Sequence, residues 1–464
     1  MPQEMPRRFA GKLDALFTTE QFTSSQIIKM FVPLVFDQLF IFAMGMLSAA
    51  MVSSSGEAAI SAVSLVGTLG FIVASIFNAV ATGGTILVAQ ARGSGDDNRV
   101  RIAAGQTVLL TSLVALVCTS VFICFADPLV NLLYARTEPL LKEYAMQYLR
   151  LISLSYVPYA LFNAIFSIFR GLGDSKSSLL LTIIINTIHL IASFILIKLL
   201  NLGVTGAGLS YILARVVGAA VAVLWLFKIQ NTIAIHRRHV FSFVRSMQAK
   251  MVRLGVPLAL EQVLFQVGML LTQIYIAMLP THTIAANAIA NSAFGLYNAV
   301  AFCLTTMVTT VCGQCIGARR PELAQGYAQS FIRAGRWLLL FAGAIISAAM
   351  PLILKLYSPT SEALPQIYLA LLIGVIPLPL IWCDANVPGA AMRAAGDAMF
   401  VTVISLASMW TIRVAIGYVL TIPLGLGIAG VWLGLVLEWA FRAMLLRPRL
   451  RSGKWLEKAK EEPA

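Results

Sequence analysis

Long runs of apolar residues, separated by short polar segments, recur along the whole chain. Several runs exceed the ~20 residues that an α-helix needs to cross the hydrocarbon core of a membrane. The runs at 58–91, 178–200 and 399–422 offer no polar face that could turn toward water. The pattern therefore predicts an all-α polytopic membrane protein. Twelve transmembrane helices are expected, at 28–51, 58–91, 102–126, 143–169, 178–199, 206–228, 254–279, 283–316, 325–350, 363–391, 399–421 and 428–446.

Charged residues are scarce and unevenly placed. The 464-residue chain is 59% hydrophobic and only 12% charged, whereas soluble domains carry roughly 25% charged residues. If both termini face the cytoplasm, most of the 34 Lys and Arg residues lie on cytoplasmic loops and ends. The outside loops hold only Arg136, Lys142, Lys198 and Lys355. Positive residues concentrate on the cytoplasmic side of membrane proteins, and this asymmetry fixes the predicted orientation.

The net charge of +14 is explained by this topology and by contact with anionic lipid. We therefore expect membrane lipid, and no nucleic acid, as a partner. The predicted location is the plasma membrane, which is the inner membrane in a Gram-negative cell. No cleavable signal peptide is visible, because the first 25 residues lack an apolar core and a small-residue cleavage site.

The sequence is written twice. VPLVFDQLF at Val32 matches VPLALEQVLF at Val256, and LVAQARGSGD matches VCGQCIGARRPE. RGLGD at Arg170 matches RAAGD at Arg393, and GVTGAGLS matches GIAGVWLG. All four pairs occur in the same order with an offset of 223 or 224 residues. Such self-similarity at a fixed spacing indicates a duplicated structural unit.

The repeat predicts two pseudo-symmetric six-helix bundles. An even number of spans returns the chain to its starting side, so both bundles share one orientation, as in transporters built from parallel repeats. We expect a cleft between them, and rocking of one bundle against the other would alternate access. A membrane-embedded receptor or enzyme would predict clustered catalytic residues or a soluble module, and the sequence shows neither. The predicted domains are an N-terminal bundle at 1–228, a basic cytoplasmic linker at 229–253, a C-terminal bundle at 254–446 and a basic cytoplasmic tail at 447–464.

The repeated Arg-x-x-Gly-Asp motif falls at a predicted cytoplasmic turn in each half. Asp174 is placed to accept backbone N–H bonds at the start of the next helix. Arg170 ends the preceding helix, where positive charge suits the helix dipole. We interpret the motif, with Arg393 and Asp397 as its second copy, as a helix–turn–helix clamp. The alternative is a gate, in which the clamp breaks when the cleft closes on that side.

At these residues the chain resembles the multidrug and toxic compound extrusion (MATE) family, within the superfamily that also holds flippases for lipid-linked oligosaccharides. The resemblance spans nearly the whole chain and rests on PLVFDQLF, VAQARGSGD, RGLGDSKSS, GQCIGARRPELA and AAMRAAGDAMF. It implies a secondary antiporter, not an enzyme, that needs no cofactor. Such an antiporter expels cationic, amphipathic organic compounds in exchange for inward H⁺ or Na⁺. The alternative function is a flippase for a lipid-linked or polyprenyl-linked substrate, and a monomer is expected in either case.

The sequence departs from the family where its ion-coupling acids usually stand. The positions that carry such groups in one or another branch are occupied here by Ser48, His189, Ser193, Phe265 and Trp382. These departures argue against copying the mechanism of any one branch. Proton coupling is favoured over Na⁺ coupling.

Two acids within the spans are equivalent by the repeat. Asp37 and Glu261 each lie four residues after the proline of their span and precede a glutamine. They are the leading candidates for ion coupling, and pseudo-symmetry predicts that they face each other across the cleft. Because burial disfavours the charged carboxylate, either could exchange a proton near neutral pH. The alternative is that each acid bonds a neighbouring helix and holds its own bundle together.

Other polar residues within spans are secondary candidates for ion coupling. Asn186, His189 and Ser193 share one helix face by their spacing, and histidine titrates near physiological pH. Asp384 lies in a proline-interrupted span, and such helices often line cavities. Glu438 is interpreted as a structural ion pair with Arg413 or Arg442, and Arg215 as snorkelling toward the cytoplasmic edge.

Aromatic and amide side chains alternate along spans one and seven. Aromatic rings attract cations, so the set is typical of a site for cationic amphipathic compounds. The alternative for each residue is packing or contact with lipid. The candidate substrate-binding residues are Phe36, Gln38, Phe40, Gln262, Phe265, Gln266 and Tyr275.

Overall fold

A computed structural model of the chain describes residues 20–52, 57–133, 139–229, 239–240, 242–355, 357 and 359–457. Over these residues the secondary structure is helical and contains no strand. Within the described ranges, eleven helices are long and apolar enough to cross a membrane, and twelve if the bent pair Pro139–Leu154 and Tyr156–Leu172 forms one span. The predicted class, an all-α polytopic membrane protein, is confirmed.

The helices are numbered in chain order. They are α1 (Ser24–Val52), α2 (Glu57–Gly93), α3 (Asp97–Cys124), α4 (Ala126–Leu133), α5 (Pro139–Leu154), α6 (Tyr156–Leu172), α7 (Ser175–Ser193), α8 (Gly203–Leu224), α9 (Arg245–Ile276), α10 (Thr281–Gly317), α11 (Pro321–Lys355), α12 (Ala363–Val375), α13 (Cys383–Ala394), α14 (Ala398–Ala407), α15 (Gly417–Thr421) and α16 (Ile428–Ser452). Short π-helical segments continue several of them, at Phe194–Leu199, Trp225–Ile229, Leu378–Trp382 and Ser408–Ile416, and a 3₁₀ turn at Lys454–Leu456 follows α16.

Wider π-helical turns occur in corresponding spans of the two halves. Span five ends in the segment Phe194–Leu199, and span eleven contains Ser408–Ile416. In span ten the segment Leu378–Trp382 contains Pro379 and directly follows Pro377. A proline has no N–H to donate to the preceding turn, so the regular helical pattern is interrupted there. Segments of this kind are frequent at functional sites.

The described chain folds as two compact units. The N-terminal unit comprises residues 36–259, and the C-terminal unit comprises the described residues up to Val35 together with those from Leu260 onward. Both divisions lie inside helices, α1 and α9. Part of the predicted linker, residues 230–238 and 241, lies outside the described residues. The domain boundaries drawn from the sequence therefore stay predictions.

A glycine-rich motif allows the start of span six and the start of span twelve to pack closely against the preceding segment. Gly203 is the first residue of α8 and Gly427 directly precedes α16, with φ angles of +52° and +53°, a conformation that glycine adopts without a steric penalty. One turn later, a Cβ on Gly206 would lie 2.8 Å from the Leu196 carbonyl oxygen, and one on Gly430 would lie 2.6 Å from the Thr421 nitrogen. The repeat thus preserves the same close helix approach in both units.

Candidate functional site

Each Arg-x-x-Gly-Asp motif brings its arginine to the acid on the first helix of its own half. Arg170, in the last turn of α6, donates from Nη2 to Asp37 Oδ2 at 2.7 Å. Arg393, in the last turn of α13, donates from Nη2 to the two Glu261 carboxylate oxygens at 2.6 and 2.7 Å. Both acids are buried, and Asp37 is 0% exposed. The same acid–arginine pair is therefore built twice, at equivalent positions of the repeat.

These contacts place each acid within its own unit. They correspond to the alternative named above, in which the acid bonds a neighbouring helix. The Asp37–Arg170 pair links α1 to the turn after α6, and the Glu261–Arg393 pair links α9 to the turn after α13. Sequence reasoning singled out all four residues but did not pair them. The common offset of the repeat shows that the two acids are equivalent and that the two arginines are equivalent, but it does not show which acid contacts which arginine.

The aspartates of the two motifs have different partners. Asp174 caps α7, because its carboxylate accepts the Ser177 backbone N–H at 3.1 Å and the Ser177 hydroxyl at 2.6 Å. Asp397 precedes α14 without a side-chain capping bond. Its Oδ2 accepts from Nε of Arg449, on α16, at 2.8 Å. The second copy therefore ties the turn to the last helix as well.

A chain of buried charges extends from Glu261 through the C-terminal unit. Arg442 lies 4.0 Å from Glu261 and 3.5 Å from Glu438. Glu438 in turn lies 2.6 Å from Arg413, as in the structural ion pair expected from the sequence. Both arginines are 9% exposed. Buried charges at such distances depend strongly on one another, so these residues act as one network.

Asp384 is held by arginines from two helices. Arg336, on α11, donates to Asp384 Oδ2, and Nε of Arg447, on α16, lies 3.3 Å from Oδ1. Asp384 is buried at 4% exposure. The ion-coupling role suggested for it stays a prediction, and its observed contacts are two charge pairs.

A cavity of about 740 Å³ lies within the N-terminal unit. Its walls carry the predicted stripe of α7, namely Asn186, His189 and Ser193. Asn163 and Asn78 also line it, and Asn163 donates to the Asn78 side-chain oxygen at 2.8 Å. Gln38, Arg170 and Arg215 also line it. The described lining contains no Asp or Glu side chain.

The three residues of the α7 stripe differ in how their polar atoms are paired. Asn186 donates to the Thr182 carbonyl at 2.9 Å, and Ser193 donates to the Ser210 hydroxyl at 3.0 Å. The His189 ring lies 4.2 Å from the Tyr211 ring, between centroids. Its Nδ1 is buried and has no hydrogen-bond partner among the described residues. Their role in ion coupling stays a prediction.

Arg215 lies midway along α8 and lines the cavity. Its Nη1 donates to Ser155 Oγ at 2.6 Å. The guanidinium carbon lies 4.3 Å from the Tyr159 ring centroid and 4.9 Å from the Tyr211 ring centroid. Sequence reasoning interpreted this arginine as snorkelling. The sequence did indicate a cavity position in one respect, because Arg215 lies in mid-span and has no acidic residue near it on its own helix.

The substrate-binding candidates are distributed over different surroundings. Gln38 is the one member of that set in the lining of the described cavity. Tyr275 is buried at 3% exposure and donates to the Arg413 carbonyl at 3.2 Å, and the Phe265 ring lies 5.4 Å from the Arg413 guanidinium carbon. Phe36 and Gln262 are exposed, while Phe40 and Gln266 are half-buried. Their role in substrate binding stays a prediction.

Two sets of membrane-spanning helices built from one repeated sequence, with a polar cavity among the helices of one set, define the class of secondary transporters. The MatE family matches the chain at residues 33–195 and 257–419, and the chain belongs to this family. The two matched segments coincide with the two copies of the internal repeat. The family membership that was predicted from the sequence is therefore confirmed. The members of this family are transporters.

Known relatives and solved structures extend the match along the chain. The chain is 26% identical over 450 residues to "Probable multidrug resistance protein NorM" of Thermotoga maritima, which covers 94% of this chain and 93% of that protein. It is similar to a crystal structure of MATE in complex with MaL6, with a TM-score of 0.86, 20% identity, and coverage of 94% of this chain and 97% of that one. It is also similar to an outward-facing multidrug resistance MATE transporter of the MOP superfamily, with a TM-score of 0.84, 19% identity, and coverage of 94% and 96%. These structures confirm the duplicated twelve-helix fold.

Proposed function

We propose that the protein is a secondary active antiporter that exports amphipathic organic compounds in exchange for inward H⁺. Alternating access would arise from rocking of its two bundles, as expected for a duplicated transporter. In this proposal a monomer lies in the plasma membrane with both termini in the cytoplasm. The observation that carries the coupling is the acid–arginine pair, which links the first helix of each half to a turn.

Protonation offers a physical link between such a pair and movement. A buried ion pair is favourable only while both charges are present, and loss of one leaves the other without compensation. Proton uptake by Asp37 would therefore release Arg170 and weaken the link between α1 and the turn at 170–174. The motif would then act as the gate considered above. Return of the proton to the other side would restore the link.

Asp37 is the better candidate of the two equivalent acids. One guanidinium pairs with it, and its Oδ1 has no hydrogen-bond partner among the described residues. Glu261 has two guanidinium groups within 4.0 Å, from Arg393 and Arg442, and also accepts from Thr402 at 3.1 Å. Protonation of Glu261 would leave Arg393 without its counter-charge and would also remove a negative charge from the neighbourhood of Arg442, which Glu438 shares. We therefore assign proton exchange to Asp37.

A proton suits this site better than Na⁺. Sodium would need several oxygen ligands with a negative charge that no other cation already neutralises. Arg170 lies 2.7 Å from Asp37, so a metal ion there would have to displace the guanidinium. A proton binds the carboxylate oxygen and needs no such space.

The proposal leaves open the charge of the exported compound. The cation preference implied by the family resemblance stays a prediction. A flippase for a polyprenyl-linked substrate is the second candidate, because Arg170 and Arg215 place positive charge in the cavity, and phosphate groups are bound by such side chains.

The test is transport by the purified protein in proteoliposomes, with pH and Na⁺ gradients imposed separately. Ethidium and fluorescein would serve as cationic and anionic reporters, and a fluorescent polyprenyl-linked sugar as the flippase reporter. We expect a pH gradient alone to drive movement of an organic reporter, and a Na⁺ gradient alone to drive none. Flipping of the lipid-linked sugar with no gradient-driven movement of either dye would replace the antiporter by the flippase.

A further inference from the structure

We propose that the cavity of the N-terminal unit binds an anionic group of an amphipathic organic compound, a carboxylate or sulfonate, against the guanidinium of Arg215. The inference rests on the proposed function, because the bound compound is taken to be the exported one. It goes beyond that function by naming the charge and the subsite. The expected substrates are organic anions, in contrast to the cations implied by the family resemblance.

The first argument is the position of the charge. Arg215 lies twelve residues after the first residue of α8, about 18 Å along the helix axis at 1.5 Å per residue. This is the middle of the candidate span Gly203–Lys228. Ionisable residues at that depth usually pair with a counter-charge or mark a substrate path. No acidic side chain pairs with Arg215 among the described residues, so an anion from outside would supply the missing charge.

The second argument is how the guanidinium is held. Ser155 accepts one of its N–H bonds, and the rings of Tyr159 and Tyr211 lie within 4.9 Å of its central carbon. These contacts orient the planar group and offset part of its charge. A guanidinium has five N–H donors, so others remain for a ligand. Carboxylate and sulfonate oxygens match the spacing of two such donors.

The third argument comes from His189, which lies on α7 rather than on α8. It is 9% exposed, lines the same cavity, and contacts the Tyr211 ring, with the two ring planes tilted by 42°. Its Nδ1 has no hydrogen-bond partner within the described part of the chain, although buried polar atoms almost always have one. A ligand that sets its anionic group on Arg215 and a hydroxyl or N–H group beside Tyr211 would satisfy both Arg215 and this nitrogen. Two cavity groups with unused bonding capacity thus flank one aromatic ring.

The rest of the cavity suits the body of such a compound. Its volume of about 740 Å³ falls within the range of sites for drug-sized molecules. Tyr159, Phe162 and Phe166 present aromatic surface from α6, and Met44 adds a flexible apolar side chain. Flat aromatic molecules pack well against such surfaces. The exchange is also electrically favourable, because an anion leaving and a proton entering both follow an inside-negative membrane potential.

Binding to the purified protein in detergent tests this inference without any ion gradient. Fluorescein and rhodamine 123 share a xanthene ring system but carry opposite charge, and fluorescence anisotropy measures the Kd of each. We expect wild type to bind fluorescein more tightly than rhodamine 123. Arg215→Gln should weaken fluorescein binding by about tenfold or more, the factor that a hydrogen bond to a charged group supplies. Rhodamine 123 binding should be unchanged or tighter.

Two further variants separate charge from folding. Arg215→Lys keeps the charge without the planar fork, so its fluorescein affinity should fall between wild type and Arg215→Gln. Arg150→Gln removes a cation from the same unit outside the cavity, where Arg150 pairs with Asp127 and is 56% exposed. It should bind both dyes as wild type does. If Arg215→Gln does not fold, the wild-type dye preference and Arg215→Lys still decide the question.

Several results would overturn the inference. Tighter wild-type binding of rhodamine 123, or equal loss of both dyes in Arg215→Gln, would assign Arg215 a structural role. Replacing chloride with gluconate should change fluorescein affinity little; competitive displacement by physiological chloride would make an inorganic anion the occupant. Displacement by farnesyl phosphate far below the concentration of a soluble aryl carboxylate would transfer the site to lipid-linked phosphates. None of these outcomes depends on proton coupling, so failure here and failure of the antiport proposal are distinguishable.

Discussion

The two units use the same acid–arginine pair in different surroundings. In the N-terminal unit Asp37 has one arginine, and a polar cavity lies beside that arginine. In the C-terminal unit the equivalent Glu261 belongs to a network with Arg393, Arg442, Glu438 and Arg413. We propose that this contact acts as a proton-dependent switch in the N-terminal unit, where it involves one arginine, and as a structural brace in the C-terminal unit, where a network shares it.

The largest effect is expected in the brace. Glu438→Gln would leave Arg413 and Arg442 buried with less negative charge between them, and breaking a buried pair costs about 3–5 kcal/mol. Unfolding by SDS titration in detergent micelles would measure the loss. Glu362→Gln is the matched control, because Glu362 is 76% exposed and lies 4.0 Å from His282. A Glu438→Gln protein as stable as this control would show that the network is not a brace.

The next effect separates the two motif aspartates. Asp397→Asn should destabilise the protein by about 1.5–3 kcal/mol, because it weakens a charged hydrogen bond with Arg449. Asp174→Asn should stay near wild type, because asparagine is as good a helix N-cap as aspartate. The same SDS titration would measure both. Equal losses in the two variants would mean that the aspartates have the same role in both units.

The glycine contacts should respond alike in both units. Gly206→Ala and Gly430→Ala each place a methyl group within 2.8 Å of backbone atoms, and overpacking of this kind costs about 1–3 kcal/mol. Gly67→Ala is the control, because a Cβ there meets nothing within 4 Å, and alanine favours a helix over glycine. Thermal unfolding of the three variants tests whether Gly206→Ala and Gly430→Ala lose similar amounts of stability, as their similar geometry predicts. Tolerance of alanine at one site alone would break the symmetry.

The smallest effect is expected at an exposed ion pair of the N-terminal unit. Arg150 and Asp127 lie 2.7 Å apart, as Arg170 and Asp37 do, but are 56% and 60% exposed. Exposed pairs contribute about 0–1 kcal/mol, so Asp127→Asn should lower stability by no more than that. A larger loss would mean that distance, rather than burial, sets the strength of these pairs.

The fold could be predicted from the sequence because hydrophobic length and the fixed repeat offset are local signals. Apolar runs give the spans, and the motif positions give the duplication. The candidate site was predicted in part. Asp37, Glu261, Arg170 and Arg393 were each identified, since charges in spans and repeated motifs are conspicuous. Their pairing depends on how helices distant in sequence pack, and no single-chain pattern encodes that contact.

The cavity was harder to foresee for the same reason. The α7 stripe was predicted from its spacing, and all three residues line the cavity. Arg215 lies on α8 and Tyr159 on α6, so these two residues meet only in the folded unit. Asn78 and Asn163 likewise belong to separate helices and bond to each other in the cavity wall. Periodicity places a residue on a face, but the partner of that face is set by tertiary packing.

The most direct test of the switch is proton-driven efflux by Asp37→Asn in proteoliposomes, compared with Glu261→Gln and with Asp127→Asn as the control. We expect Asp37→Asn to lose efflux driven by a pH gradient while it still exchanges labelled for unlabelled substrate without a gradient. Glu261→Gln, where it folds, and Asp127→Asn should keep gradient-driven efflux. If Asp37→Asn showed efflux at the wild-type rate under a pH gradient, that result would contradict the assignment of proton exchange to Asp37.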